Sequence, residues 1–314
     1  MMPIPLTVVG GFLGAGKTTL VNDVLAQSRG RRLAVLINDF GALSIDAALI
    51  AATGARSIAL ANGCVCCTLV DGLVQALIDV LALDPPPEHV LVEASGVSDP
   101  RRIAQIARAD RSFLQDATIV VAAADQIEAL ARDRYVGDTV LRQLAAADLI
   151  VLNKLDCVDA GAAHATSAWL GTVAPAARLL RAIDARVACD VVLGPVTMAS
   201  GPDSSCDAAS FPAHATDDHG GAFATRTLRC ARPLSERPLR AALAALPECV
   251  LRVKGFVRFD TAPGALHLVQ RVGARCTIAE APPQACGSES VLVLIAAAPA
   301  LARADLAPLA RVFA

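Results

Sequence analysis

The stretch GGFLGAGKTTL, residues 10–20, contains Gly-x-x-x-x-Gly-Lys-Thr from Gly11 to Thr18. The apolar run IPLTVVG (4–10) ahead of it predicts a buried strand. KTTLVNDVLAQS (17–28) behind it spaces its apolar residues as a helix does. Strand, glycine-rich turn and helix are the setting of a phosphate-binding loop. Glycines let the turn aim its N–H groups inward, and the helix N-terminus adds the positive end of its dipole. The predicted contacts are Gly11, Gly14, Ala15, Gly16, Lys17, Thr18 and Thr19. Lys17 reaches the β- and γ-phosphates, and the Thr18 hydroxyl takes Mg²⁺.

The bulk composition narrows what can surround that loop. The chain has 314 residues, room for one large domain or two ordinary ones. Apolar residues make up 54 %, and mean hydropathy is +0.51, which looks membrane-like. The surplus is largely alanine, and no apolar run approaches the ~18–20 residues of a spanning helix. VLVLIAAAPALA (291–302) is shorter and holds Pro299. No basic region precedes the first apolar stretch, so no secretory signal is read, and a cytoplasmic protein without a membrane partner is expected. Net charge is −2 and aromatics are 3 %, which argues against a nucleic-acid partner. Ten cysteines in a cytoplasmic chain are expected to be reduced. Cys157, Cys189, Cys206, Cys230, Cys249, Cys276 and Cys286 stand singly and read as small buried apolar side chains. Cys64, Cys66 and Cys67, in NGCVCCTL (62–69), do not.

Two further segments extend the phosphate loop. DLIVLNKLD (148–156) runs an apolar strand into Asn153-Lys154-Leu155-Asp156, which resembles the N-K-x-D signature of GTPases. The Asp156 carboxylate can accept from guanine N1–H and its 2-amino group, a donor pair adenine lacks. HVLVEASGVSDP (89–100) is another buried strand, ending at Glu93, a carboxylate placed to order the Mg²⁺ water shell. Ser95 and Gly96 follow, where backbone can approach the γ-phosphate.

In this order, the phosphate loop, INDFGALSID (37–46), GCVCC (63–67), VEASGVSDP (92–100) and LNKLD (152–156) resemble CobW-type GTPases. The likeness resumes at RTLRCARPLSERPLRAALAALPECVLRVKGFVRF (226–259), similar to that family's C-terminal domain. The resemblance implies a metallochaperone that hydrolyses GTP, binds a divalent metal and hands it to a client metalloprotein. Zinc is the implied cargo, with Co²⁺ also in view, and Cys64, Cys66 and Cys67 are the implied ligands. Their chemistry agrees, since thiolates suit Zn²⁺ and late metals far better than Mg²⁺. A closed structural zinc site uses four protein ligands, whereas the local sequence offers three, which leaves a position for release. Adjacent Cys66 and Cys67 cannot share one face of a strand, so the motif needs irregular backbone. The family commonly carries E-N-E-F-G-E where this chain has Ile37-Asn38-Asp39-Phe40-Gly41-Ala42; only the middle acid is kept in kind, and Asp46 matches a family aspartate.

The expected architecture is α/β: a P-loop GTPase domain (1–197) with a mostly parallel sheet, a flexible linker (198–222) and a smaller α+β C-terminal domain (223–314). Strands are predicted at 5–10, 33–37, 57–60, 89–93, 117–123 and 148–153, with ligands at their carboxyl ends. The last domain is expected to read strand, helix, hairpin, then a weaker helix and strand, and to recognise the recipient. In the linker, Cys206, His214 and His219 stand among acidic residues, and glycine and serine content reads first as linker. Catalysis is assigned to Lys17, Thr18 and Glu93, with water as nucleophile. A nucleotide-dependent homo-oligomer is plausible in this class. A GTP-tuned zinc sensor or buffer without a client is the alternative. A P-loop kinase is disfavoured by N-K-x-D.

Overall fold

The computed structural model describes residues 3–28, 30–37, 56–59, 68–195, 223–281, 289–301 and 304–314. They fall into two compact units, Met1–Leu193 and Gly194–Ala314.

The first unit is built on a seven-stranded sheet in the order β3-β2-β4-β1-β5-β6-β7. The strands are β1 (Ile4–Gly10), β2 (Leu33–Ile37), β3 (Arg56–Ala59), β4 (His89–Glu93), β5 (Phe113–Ala123), β6 (Leu149–Asn153) and β7 (Arg178–Arg181). Each pairing is parallel. Helices return the chain between strands: α1 (Lys17–Gln27), α2 (Thr68–Leu81), α3 (Pro100–Ala109), α4 (Ile127–Arg132), α5 (Gly137–Ala145) and α6 (Ala160–Val173); α7 (Cys189–Leu193) follows β7. Continuous apolar strands such as LIVLN are what a sheet covered on both faces requires. Leu6 and Val8 of β1 pack with Leu73, Leu77 and Val80 of α2 and Ile103 and Ala107 of α3. Thr7 alternates with them and so faces the other side. There its hydroxyl donates to the Val192 carbonyl of α7 at 3.4 Å, which lays α7 across that face.

Thr7 also belongs to a fully buried polar group. Its Oγ1 lies 2.9 Å from His89 Nε2 and 3.5 Å from Asp116 Oδ2. Asp116 is the extra residue of β5 where the register with β1 shifts between Leu6 and Thr7. The bulge turns a carboxylate inward that strict alternation would have sent elsewhere.

The second unit is a five-stranded antiparallel sheet, order β11-β10-β9-β12-β8, with helices on one face. Its elements are β8 (Phe223–Cys230), α8 (Glu236–Ala244), β9 (Val250–Phe259), β10 (Ala262–Val272), β11 (Arg275–Glu280), β12 (Ser290–Ala297), α9 (Ala298–Leu301) and α10 (Ala307–Phe313). Leu239 and Leu243 of α8 and Leu309 and Phe313 of α10 cover Val253, Val257, Leu292 and Leu294.

Six of the seven parallel strands stand where the sequence predicts them, within a few residues. β7, only four residues with an arginine at each end, is additional. In the second unit the hairpin is β9–β10, as expected. The expected weaker helix beyond it is instead strand β11, and short helices close the chain. RCTIAE pairs along β10, where a β-branched, hairpin-linked segment gains ladder hydrogen bonds that a six-residue helix cannot match. The expected linker, 198–222, lies outside the described residues. Among the described residues no helix is long and apolar enough to cross a membrane.

Candidate functional site: a phosphate loop facing an N-K-x-D turn

Register brings the candidate groups to one edge. Val9 pairs with Glu93 across β1–β4, and Ala123 pairs with Asn153 across β5–β6. The phosphate loop, Glu93 and the N-K-x-D turn therefore leave the same carboxyl edge of the sheet, where open α/β sheets bind ligands.

The loop from Gly10 to Lys17 is shaped by its glycines. Gly11 has φ +133°, and a Cβ there would fall 2.2 Å from the Val121 carbonyl oxygen. Gly16 has φ +107° and begins α1, and a Cβ there would fall 2.5 Å from Asn153 Nδ2. Both positions demand glycine on two counts, conformation and space. Having no side chain, Gly16 cannot cap the helix, and the first turn, Lys17 to Leu20, carries no acid. The N–H groups of α1 are thus presented to an anion with no competing carboxylate of their own turn. Lys17 is 8 % exposed, and its Nζ donates to the Phe12 carbonyl at 3.2 Å, across the loop. This donor set fits a polyphosphate.

Thr18 Oγ1 donates to Glu93 Oε1 at 2.8 Å. A hydroxyl and a buried carboxylate in contact at the root of the phosphate loop are oxygen ligands of the kind Mg²⁺ selects, so the residues fit that ion. Ile37, the residue of β2 that pairs with Glu93, is buried and apolar; no acid stands there. Beyond Glu93 the chain passes Gly96 and enters α3, whose N-cap Asp99 accepts from Arg101 N at 2.9 Å. Pro100 at the head of α3 abuts the end of β1: a Cβ on Gly10 would lie 2.5 Å from Pro100 Cγ.

Asn153 is buried and bridges two loops. Its Nδ2 donates to the Ala15 carbonyl at 3.0 Å, and its Oδ1 accepts from Ala185 N at 2.7 Å. Lys154 is left-handed, φ 59°, and starts a short 3-10 turn, Leu155–Cys157. Asp156 in that turn is exposed, with its carboxylate accepting from the Cys157 thiol at 3.7 Å. Slight desolvation and then the adjoining Asp156 charge push the Cys157 thiol up.

The residues around Ala185 escaped the sequence reading. Asp184 and Ala185 are both left-handed, and the segment is clamped to α1. Val187 N donates to Asp23 Oδ2 at 3.3 Å, Gln27 Nε2 to the Val187 carbonyl at 3.0 Å, and Cys189 N to Gln27 Oε1 at 2.9 Å. The phosphate-loop helix thus also positions the loop beside the N-K-x-D turn. The only sequence signal was a short apolar strand followed by AIDARV.

The metal-motif residues Cys64, Cys66 and Cys67 lie outside the described residues, as do Asp39, Asp46, Cys206, His214, His219 and Cys286. Among the described residues no three His, Cys, Asp or Glu side chains converge on a metal site. Of the single cysteines, Cys189 and Cys230 are buried as expected, while Cys157 and Cys276 are exposed instead, on a polar turn and on a strand at the sheet edge.

A parallel sheet gathering these groups along one edge is the design of a P-loop GTPase, and this chain is one. Residues 5–181 match the domain described as CobW/HypB/UreG, nucleotide-binding domain, and residues 223–308 match the Cobalamin synthesis protein cobW C-terminal domain. The chain belongs to the CobW family. It is 29 % identical over 311 residues to a protein named Zinc chaperone CobW from Sinorhizobium, spanning 87 % of this chain and 86 % of the relative. A Zinc chaperone CobW from Pseudomonas aeruginosa is 30 % identical over 312 residues, spanning 87 % and 81 %. A solved Zn(II)-bound YjiA GTPase from E. coli covers 99 % of each chain at 21 % identity, with a TM-score of 0.44.

Proposed function

We propose that this chain is a metallochaperone that uses GTP to bind a divalent metal and deliver it to a client protein in the cytoplasm. The nucleotide is held by Gly11, Gly14, Ala15, Gly16, Lys17, Thr18 and Thr19 at its phosphates and by Asn153, Lys154 and Asp156 at guanine. Lys17, Thr18 and Glu93 carry the hydrolysis; Thr18 would hold Mg²⁺, which would offset phosphate charge. Cys64, Cys66 and Cys67 take the cargo. Zinc is the metal, because two relatives spanning most of the chain are named zinc chaperones; Co²⁺ is the competitor to test. Residues 1–197 form the GTPase domain and 198–222 a linker. Residues 223–314 recognise the client.

One observation carries the coupling of metal to nucleotide. In the sheet register Ala59 of β3 pairs with Ile37, which pairs with Glu93. Two strand spacings make a lateral separation of about 10 Å between the end of β3 and Glu93. Cys64 follows five residues after Ala59, a length of chain that reaches at most about 17 Å. That length of chain exceeds the lateral separation, which supports the reading that metal at the cysteines and nucleotide at this edge bias one another.

The test is a competition titration of Zn²⁺ and Co²⁺ against a chromophoric chelator, using reduced protein with Mg²⁺ and either GDP or a non-hydrolysable GTP analogue. Tighter zinc binding with the analogue, abolished by replacing all three cysteines with alanine, is the expected result. Equal affinity in both nucleotide states overturns the coupling. Nucleotide-tuned zinc binding without transfer to any apo-metalloenzyme would make the protein a sensor or buffer.

A further inference from the structure

The buried stripe of α5 runs Val140, Gln143, Leu144. Gln143 is the polar member of that stripe and is 1 % exposed. A buried amide must direct its N–H groups at partners. Gln143 Nε2 donates to the Gly96 carbonyl at 3.0 Å and to the Ser98 carbonyl at 2.9 Å. Both donors thus serve one short segment. That segment is itself pressed onto the phosphate loop: a Cβ on Gly96 would lie 2.5 Å from Leu13 Cδ2 and 2.9 Å from Leu13 N. At its root, Glu93 accepts from Thr18. The segment is held at three points, and the outer hold comes from a helix with no residue in the phosphate loop or the N-K-x-D turn.

In a planar trans peptide the C=O and N–H point opposite ways. Fixing the Gly96 carbonyl on Gln143 therefore turns the Val97 N–H away from α5. We propose that Gln143 is a positioning residue for the γ-phosphate: it sets the peptide orientation of segment 96–98, and through it the preference for GTP over GDP. The proposal rests on the reading that Glu93 to Gly96 face the γ-phosphate. GDP lacks that group, so disturbing the segment weakens GTP binding and hydrolysis while leaving GDP binding in place.

The test compares the full chain with Gln143→Met, which keeps the length and removes both donors, and Gln143→Glu, which sets a carboxylate against two carbonyls. GDP and a non-hydrolysable GTP analogue are titrated separately, each with Mg²⁺, and thermal melting of the GDP-bound forms checks the fold. GDP affinity is expected to stay within about twofold of wild type, while analogue affinity falls about tenfold in Gln143→Met, equivalent to about 1.4 kcal/mol. Gln143→His, which retains one ring N–H, should fall between, and carries the test if the other variants do not fold. An equal loss for both nucleotides, or an unchanged ratio in a folded variant, overturns the proposal. Gly96→Ala separates two kinds of failure. If Gly96→Ala selectively weakens the analogue while the Gln143 variants do not, the segment faces the γ-phosphate and Gln143 does not position it. If Gly96→Ala also leaves the ratio unchanged, the reading of the segment falls as well.

Discussion

Replacing Asn153 by alanine should damage stability and nucleotide binding together. The side chain makes two buried hydrogen bonds, to the Ala15 carbonyl and from Ala185 N. Each is worth about 0.5–1.5 kcal/mol net, and a stranded buried partner costs about 1–3 kcal/mol. Some of that cost is relieved as the loops relax, so Asn153→Ala should lose about 2–4 kcal/mol of stability. Domains of this kind hold about 5–15 kcal/mol, so the variant should still fold. Trp169 is the only tryptophan and packs against the core of the first unit, which makes its fluorescence a probe of that unit in a urea titration. Because Asn153 joins the phosphate loop to the loop around Ala185, and touches nothing specific to a third phosphate, GTP and GDP affinities should fall by the same factor. Asn153→Asp keeps the acceptor for Ala185 N but faces a carboxylate to the Ala15 carbonyl, and should fare no better. A change in stability below about 0.5 kcal/mol would refute the argument, since that is the scatter of ordinary surface substitutions. Loss of GTP binding with GDP binding intact would refute it too.

Other outcomes follow from neighbouring residues. Thr18→Ala should lower GTP hydrolysis by about 100-fold, the scale of removing one preorganised contact, as read by phosphate release with Mg²⁺. Asp156→Asn should weaken GTP by about 10- to 100-fold, the worth of charge-assisted hydrogen bonds, and shift preference toward xanthosine triphosphate in competition binding. Gly11→Ala combines φ +133° with a 2.2 Å clash on Val121 and should cost more than about 4 kcal/mol, visible as an unfolded first unit by Trp169 fluorescence. Thr7→Val should lose about 1–3 kcal/mol by removing the hydroxyl that contacts His89, Asp116 and the Val192 carbonyl, with nucleotide affinity unchanged, checked by urea titration and GDP binding.

What the sequence conveyed follows the physics of each element. Strands β1, β2, β4 and β6 and the second half of β5, IVVAA, are largely apolar runs because both their faces are covered, and such runs stand out. Strand β7, RLLR, has two apolar residues and looks like nothing in isolation; it exists because β6 offers it a ladder. The phosphate loop is legible because its backbone demands glycine at fixed places. The turn around Ala185 contributes a backbone N–H, which any residue can supply, so its sequence carries no mark. Gln143 hides in an amphipathic stripe, where one polar letter among apolar neighbours passes for noise until its partners are seen. The bulge at Asp116 is likewise a matter of register between distant strands.

The abutment of Pro100 on Gly10 has a mechanical consequence. Residues 94–99 form an arch whose two feet stand on adjoining strands: one foot is Glu93, inside β4, and the other is Pro100, wedged against the end of β1. An arch with both feet fixed cannot slide; it can only change its bow. Its freedom is then the rotation of single peptide planes, a change small in distance and large in hydrogen-bond direction.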